Sequence, residues 1–419
     1  MKIHFIGIGG IGVSAVAQYY LSQGHEVSGS DLADSEIISL LKSKGVRIFL
    51  GQQTEKNIDD ISPDLVAFSP AVLPDNPELR RAQQKSVVCK SSPQLLGEIT
   101  KKFYTIAVCG SHGKSTTAAM LALMLEKCGL DPWAVLGTCL EEFQNSNFRA
   151  GQSQYLIIEA DEYKRSFLNY APRIIVLTNI EADHLDYFRD LDEIRGAYKD
   201  FVARLPDDGI LVAHQNVDLS GFSAKNIIRY CAEEKISLTV PGAYNQDNAN
   251  ACLKVAEILH IPKNDALEAL AGYKGAWRRL QETKMEIEGK HIIHISDYGH
   301  HPTQLLATVK GVREKYPGKR LTCVYQPHQY KRTLFFYEEF KRAIGQCLRL
   351  SDEFILTDIY DVAGREDLQA KSRINSKILA EESGAKYIAQ DALREYLYKN
   401  LETGQVLLIM SAGNFYKLS

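Results

Sequence analysis

Two glycine-rich stretches carry the residue types that hold phosphate. The first is Gly7-Ile8-Gly9-Gly10-Ile11-Gly12, in which Gly7, Gly9 and Gly12 satisfy G-x-G-x-x-G. Glycines at that spacing permit a tight turn and let backbone N–H groups approach a pyrophosphate at a helix N-terminus. Asp31 lies nineteen residues past Gly12, where a carboxylate accepts a hydrogen bond from a ribose or a base. The competing reading is a tight turn with close helix–strand packing and no ligand. The second stretch is Gly110-Ser111-His112-Gly113-Lys114-Ser115-Thr116. Val108 stands where the first glycine of a full P-loop belongs, so this is the shorter G-x-x-G-K-[ST] form. Lys114 would bridge triphosphate oxygens as a point charge, and the Ser115 hydroxyl would ligate Mg²⁺. ATP is the expected ligand, with a structural turn as the alternative.

Oxygen donors cluster at two later points. Glu159-Ala160-Asp161-Glu162 closes the apolar run Tyr155–Ile158, and Asn179-Ile180-Glu181-Ala182-Asp183-His184 closes Arg173–Thr178. Carboxylates at the C-terminal edge of a parallel strand face the crevice where ligands sit. Glu159 and Asp161 would share one face of an extended chain. Glu159, Asn179 and His184 would then surround the space above Lys114, where a hard cation prefers oxygen. Alone, the first segment reads as a solvated acidic turn and His184 as a structural histidine. Four further segments place donors beside expected strand ends or helix starts: Tyr244–Asn248, Trp277–Arg279, Asp297–Thr303 and Gln326–Thr333. Amides read an adenine edge, and arginines hold phosphate or carboxylate in bidentate fashion. A dehydrogenase would leave the second loop idle, and a plain ATPase would leave the first idle. A ligase acting on a nucleotide-linked substrate uses both.

The elements that must position these residues are strands alternating with helices. Strands are expected at Lys2–Ile6, Glu26–Ser30, Leu65–Phe68, Tyr104–Cys109, Tyr155–Ile158 and Arg173–Thr178. Later strands are expected at Ile210–Ala213, Asn226–Tyr230, Ile236–Val240, Ile292–Ser296, Leu321–Tyr325, Phe354–Thr357 and Val406–Ile409. Helices are expected at Val13–Ser22, Ile37–Lys44, Thr116–Lys127, Asn248–Leu259, Thr303–Glu314 and Phe335–Leu348. The alternation argues for α/β domains with mostly parallel sheets. The pattern restarts twice, which divides the chain into 1–100, 101–275 and 276–419.

The chain has 419 residues, 45% of them hydrophobic and 24% charged, with a net charge of −3. That excludes a disordered tail, a collagen and a coiled-coil rod, and it implies no basic surface for nucleic acid. Eight cysteines form no C-x-x-C pair and read as reduced, mostly buried thiols of a cytoplasmic protein. No apolar run reaches the ~18 residues of a spanning helix, so no membrane role is expected. Glycines at 7, 9, 10 and 12 break the N-terminal apolar stretch, which reads as a strand and a helix start and not as an export signal.

Taken in order, HFIGIGGIG, GSHGKST, EADEY, NIEADHLDYF, SDYGHHPT, QPHQYKRT and LLIMSAGN resemble the Mur ligase family of peptidoglycan synthesis over nearly the whole chain. The resemblance implies three domains: a Rossmann-like N-terminal domain for a UDP-sugar, a P-loop ATPase-like central domain, and a Rossmann-like C-terminal domain that closes over both. The likeness is strongest to the branch that joins L-alanine to UDP-N-acetylmuramate with ATP and Mg²⁺. The recycling branch, which attaches a tripeptide to the same sugar nucleotide, usually has Phe-Ala where this chain has Tyr298-Gly299.

By motif position, the resemblance implies that Gly9, Gly10, Gly12, Asp31 and Ser69 serve the UDP substrate. It gives Gly110, Ser111, His112, Gly113, Lys114, Ser115, Thr116, Asn179, Asn245, Asn248, Arg279 and Asp297 to ATP. Ser115, Glu159 and His184 would hold the metal; Tyr298, His328 and Arg332 would face the amino acid. Lys114, His184, His328 and Arg332 would be catalytic. The chain departs from the family pattern at five positions. Ser111 and Ser115 replace threonines, Tyr244 replaces a histidine, Gln329 an arginine and Ser411 a glycine. Lys199 lies near the place of a carbamylated lysine of sister ligases and reads as a solvated helix charge.

Overall fold

The computed structural model describes residues 1–51, 53–184, 187–361, 367–413 and 415–416. Leu185 and Asp186 of the NIEADHLDYF segment and Asn414 of LLIMSAGN lie outside the described residues. The chain divides into two compact units, Met1–Glu233 with Asn248–Leu270, and Glu234–Asp247 with Ala271–Ser419. The first unit holds two sheets and the second holds one.

The first sheet comprises β1 (Lys2–Ile6), β2 (Glu26–Asp31), β3 (Arg47–Leu50), β4 (Leu65–Phe68) and β5 (Val88–Ser91). They run parallel in the order β3-β2-β1-β4-β5. The intervening helices are α1 (Ile11–Ser22), α2 (Glu36–Ser43), α3 (Glu55–Ile61), α4 (Pro77–Gln84) and α5 (Ser92–Thr100). Ile3, Phe5, Ile6, Val66 and Ala67 are fully buried, as both-face coverage by helices requires. Strand order reverses between β1 and β4, which opens a crevice at their carboxyl ends. Polar caps fix where the helices start. The side chains of Ser35 and Asn76 accept backbone N–H bonds at the starts of α2 and α4, and Ser91 forms a capping box with Gln94 at α5.

The second sheet contains β6 (Tyr104–Cys109), β7 (Trp133–Leu140), β8 (Ser146–Arg149), β9 (Tyr155–Glu159), β10 (Ile174–Leu177), β11 (Ile210–His214) and β12 (Asn226–Tyr230). Its order is β12-β11-β10-β6-β9-β7-β8, and β8 alone runs antiparallel to its neighbour among these described strands. The helices are α6 (Lys114–Lys127), α7 (Leu191–Val202), α8 (Ala243–Ile258) and α9 (Lys263–Ala271). Helix α6 is buried at Ser115 and continuously from Thr117 to Leu125, the pattern of a central helix enclosed on all sides.

The sheet of the second unit contains β13 (Gln281–Ile287), β14 (Lys290–Asp297), β15 (Leu321–Gln326), β16 (Glu353–Leu356), β17 (Lys386–Tyr387) and β18 (Val406–Ser411). The order is β13-β14-β18-β15-β16-β17, antiparallel only at β13 among these described strands. Around it lie α10 (Pro302–Lys315), α11 (Tyr330–Phe335), α12 (Tyr337–Cys347), α13 (Leu368–Arg373), α14 (Ser376–Ser383) and α15 (Gln390–Asn400). Helix α15 brings Leu393 and Leu397, with Leu401 just after it, onto Val324, Ile355, Leu407 and Ile409. Each such leucine contributes about 1.5–3 kcal/mol on burial.

Two expectations about elements fail. Ile236–Val240 is not a strand. The Gln246 side chain accepts from the Ile236 N–H and donates to the Ile236 carbonyl, both at 2.9 Å, so an amide takes the place of a neighbouring strand. The stretch Phe335–Leu348 is not one helix, because Phe336 leaves helical geometry at φ −96°, ψ 26° and separates α11 from α12. None of the eight cysteines is in a disulfide, and five are buried. No described helix is long and apolar enough to cross a membrane.

Candidate active site

The first glycine loop joins β1 to α1. Gly7 has φ +75°, and both its N–H and that of Ile8 donate to the Ser30 carbonyl at the end of β2. The Asp31 carboxylate accepts the Gly9 N–H at 2.8 Å. A Cβ at Gly9 would meet that same oxygen at 2.9 Å, and one at Gly7 would meet Ser69 Cβ at 3.1 Å. The ends of β2, β1 and β4 thus bring Asp31, the loop and Ser69 together. Gly12 faces open space on the first turn of α1, and Gly10 is the α1 N-cap.

The second loop joins β6 to α6, which starts at Lys114, two residues before its expected start. Gly110 and Gly113 have φ +131° and +84°. Side chains would be excluded at both positions. A Cβ at Gly110 would run into Thr178 Oγ1, and one at Gly113 would lie 2.7 Å from Asn248 Oδ1. The segment that follows β10 braces the loop: Asn179 accepts the His112 N–H at 2.9 Å and donates to the His112 carbonyl at 3.0 Å. Ser111 Oγ donates to the Glu181 carbonyl at 3.0 Å and accepts the Glu181 N–H at 2.8 Å. Thr116 follows on the first turn of α6.

Lys114 is nearly enclosed. Its Nζ donates to the Gly110 carbonyl at 2.6 Å, the Ser111 carbonyl at 3.3 Å and Glu162 at 2.9 Å. Burial by itself would lower the pKa of this ammonium. The charges of Glu162, Asp161 and Glu159 outweigh that and hold it above its ordinary value. Ser115 Oγ donates to Glu159 at 3.0 Å, and the other Glu159 oxygen accepts the Gly137 N–H at 2.9 Å. His184, at φ +53°, lies 3.9 Å from Glu162. Asp161, Glu162 and His184 each offer a ligand atom, and these atoms lie within 4.8 Å of one another. Two carboxylates and an imidazole beside a phosphate loop suit a hard divalent cation. Glu162 was missed as a site residue, although it stands in the same acidic segment. Lys164 was also missed. At φ +50° it donates to the Pro70 carbonyl at 2.7 Å, and so ties this loop to the turn that carries Ser69.

In the second unit the carboxyl ends of β14, β18 and β15 are adjacent. Asp297 accepts the Leu280 N–H at 3.0 Å and the Gly299 N–H at 2.8 Å. Burial raises its pKa above the ordinary value, against the opposing effect of Arg279 and these two N–H groups. Arg279 lies over the Tyr298 ring at 4.9 Å. His328 Nδ1 is 3.0 Å from Arg332, and the His300 ring, also missed, lies 5.6 Å from Tyr298 and 5.7 Å from His328. Gln329 is buried with φ +66°, its N–H on the Tyr360 carbonyl. Ser411 Oγ bonds Gln326 at 2.6 Å. Asn245 and Asn248 lie one turn apart on α8, and Asn245 donates to the Pro241 carbonyl at 2.7 Å. Lys199 is half-buried on the last turn of α7.

Residues 2–104 match the Mur ligase family catalytic domain, 108–235 the Mur ligase middle domain, and 278–413 the Mur ligase glutamate ligase domain. The chain belongs to the Mur ligase family. Among similar Mur ligases is the UDP-N-acetylmuramate–L-alanine ligase of Alkaliphilus metalliredigens, 35% identical over 100% of this chain and 96% of the relative. That of Acetivibrio thermocellus is 37% identical over 99% of this chain and 94% of the relative. A crystal structure of the UDP-N-acetylmuramate-alanine ligase MurC from Thermotoga maritima is similar with a TM-score of 0.83 at 26% identity, covering 99% of this chain and 96% of that one. The first and third matched Mur ligase segments each contain one of the three sheets, and the middle segment contains the remaining sheet except for the start of β6.

Proposed function

We propose that this Mur ligase joins L-alanine to the lactyl carboxylate of UDP-N-acetylmuramate at the expense of ATP, in peptidoglycan precursor synthesis. The full-length relatives that carry this activity in their names support the reading. The observation that carries it is that one compact unit holds both phosphate loops, with Lys164 joining the Ser69–Pro70 turn to the acidic segment beside Lys114. A nucleotide-linked carboxylate and a triphosphate need such an arrangement to meet. The proposed division of labour is 1–100 for the UDP substrate, 101–275 for ATP and 276–419 for the amino acid. ATP and the sugar nucleotide are drawn from the cytoplasm, the proposed location.

A carboxylate is a poor electrophile at neutral pH. In the proposed reaction it attacks the γ-phosphorus of ATP, ADP leaves and an acyl phosphate forms. The alanine amine then attacks the acyl carbon, loses a proton and displaces inorganic phosphate as the amide forms. Lys114 supplies fixed positive charge where negative charge develops. Its three N–H donors are spoken for by two loop carbonyls and Glu162, so phosphoryl oxygens enter by exchange with these acceptors. Ser115, Glu159 and His184, with Asp161 and Glu162, would hold Mg²⁺, which neutralises phosphate charge when bound. Asn245 and Asn248 would meet the adenine, and Arg279 and Asp297 the nucleotide. Tyr298, His328 and Arg332 would hold the amino acid, with His184 or His328 taking the amine proton.

The test is phosphate release from Mg-ATP with UDP-N-acetylmuramate, comparing no amine, L-alanine, glycine, L-serine and the recycling tripeptide. The expected result is strong stimulation by L-alanine and a UDP-sugar product heavier by one alanyl residue. Stimulation by the tripeptide alone would move the chain to the recycling branch.

A further inference from the structure

Arg278 lies next to Arg279 in the Trp277–Arg279 donor segment and was given no individual role there, yet its guanidinium joins several parts of the second unit. It sits in a short turn in which Arg278 and Leu280 both adopt left-handed backbone, φ +55° and +49°. Non-glycine residues hold that conformation only where surrounding contacts over-determine it. Three contacts do so here. The Leu280 N–H is held by Asp297 at 3.0 Å and the Arg278 N–H by Gln281 at 3.2 Å. The third is the Arg278 side chain itself. Its Nη2 donates to the carbonyls of Ser411 and of Gly413, the latter at 2.9 Å. Its plane lies over Trp277 at 5.5 Å, Tyr298 at 4.8 Å and Tyr416 at 4.2 Å.

The residue is 7% exposed, and its Nε has no hydrogen-bond partner among the described residues. No described carboxylate lies within ion-pair distance of it. Burying such a cation without a paired carboxylate is a poor way to gain stability. A fork that reaches two carbonyls while stacking on rings is instead a way to fix geometry. What it grips leads onward to His328. A Cβ at Gly413 would collide with Tyr360 and meet Gln326 Oε1 at 2.6 Å. The Tyr360 ring stacks on His328 at 5.8 Å and 16°, and His328 adjoins Arg332.

We infer that Arg278 is a positioning residue: it clasps the Ser411–Gly413 turn and the Tyr298 ring together, and so sets the spacing between Tyr298 and His328 that receives the amino acid. The inference rests on the proposed function, which assigns those two residues to L-alanine.

The test uses the full chain with Arg278→Lys and Arg278→Met. Both are expected to raise KM for L-alanine about tenfold or more, lysine failing to rescue because it lacks the fork, with KM for UDP-N-acetylmuramate within about twofold of the parent. Leu393→Ala, in the core of the same unit, is expected to lower the melting temperature without that KM change. In a Trp133→Phe background, Trp277 emission is expected to respond to L-alanine and to lose the response in Arg278→Met. Unchanged KM for L-alanine in the Arg278 variants, or an equal rise in Leu393→Ala, overturns the inference. An inactive parent chain instead overturns the functional reading. The clasp is then judged by amide exchange at Ser411–Gly413, which is expected to quicken in Arg278→Met; unchanged exchange rejects it.

Discussion

At the scale of single residues the site depends on charges that burial alone would suppress. Lys114 stays an ammonium because Glu162, Asp161 and Glu159 surround it. Lys114→Ala should therefore cut turnover by about 10²–10³-fold, the scale of losing one preorganised charge at a developing anion. Affinity for UDP-N-acetylmuramate, measured by calorimetric titration, should stay near that of the parent. Near-parental turnover would remove Lys114 from the mechanism. The sequence showed Lys114, Ser115 and Glu159 because each is tied to a local pattern, a phosphate loop or a strand end. It hid Glu162 for a local reason too. Alternation along a strand selects Glu159 and Asp161, but β9 ends at Glu159 and the chain then turns through Lys164 and Arg165 in left-handed backbone. Past the strand end, alternation no longer says which side chain reaches the lysine.

At the scale of elements, helix α1 offers a clean separation of binding from stability. Gly12 lies in its first turn with nothing within 4 Å of an added Cβ. Gly12→Ala should leave the protein as stable or up to ~1 kcal/mol more stable, yet weaken the UDP substrate if its phosphates pass over that backbone. Thermal melting and substrate titration on the same sample decide it, and unchanged affinity would move the diphosphate away from this turn. Strand β14 carries a second prediction. Burial pushes the pKa of His294 down to about 4, while its Nδ1 lies 3.1 Å from Thr283 Oγ1. The unfolded chain takes up this proton near pH 6.5, whereas the folded protein resists until about pH 4. Below pH 6.5 the unfolded state binds more protons, so stability falls as pH drops through that window, by at most about 3 kcal/mol. Urea midpoints of the parent should drop between pH 7 and pH 5, and His294→Leu should flatten that drop.

Length did not decide which elements were legible at this scale. Strands β4, β10 and β16 have four residues each and showed as apolar runs. The longer β7, β13 and α7 were not read, nor were β3, β5 and β17, which lie at sheet edges and are not buried throughout. Ile236–Val240 has the composition of a strand, but Gln246 satisfies the backbone of Ile236.

At the scale of the whole molecule, the two units should answer to different ligands. UDP-N-acetylmuramate at a hundred times its dissociation constant adds about 2.7 kcal/mol to whatever it binds. Hydrogen exchange should therefore slow in residues 1–233 when the UDP substrate is added, in the parent and in Lys114→Ala alike. Slowing confined to the second unit would reject the assignment of the first glycine loop.

What the sequence determined by itself was the repeated strand–loop–helix unit and the two phosphate loops. A phosphate cradle needs consecutive backbone N–H groups, so its glycines are contiguous and readable. What the tertiary structure decided was which groups meet those loops. Asp31 on the Gly9 N–H, Glu162 on Lys114, Asn248 over Gly113 and Lys164 on Pro70 join positions far apart in the chain. Strand order accounts for the first two, setting β2 beside β1 and β9 beside β6, whereas Asn248 comes from helix α8 and Lys164 reaches from one sheet of the first unit to the other. Strand order is settled by how all the helices bury the two faces of each sheet at once, and no local pattern of residues records it.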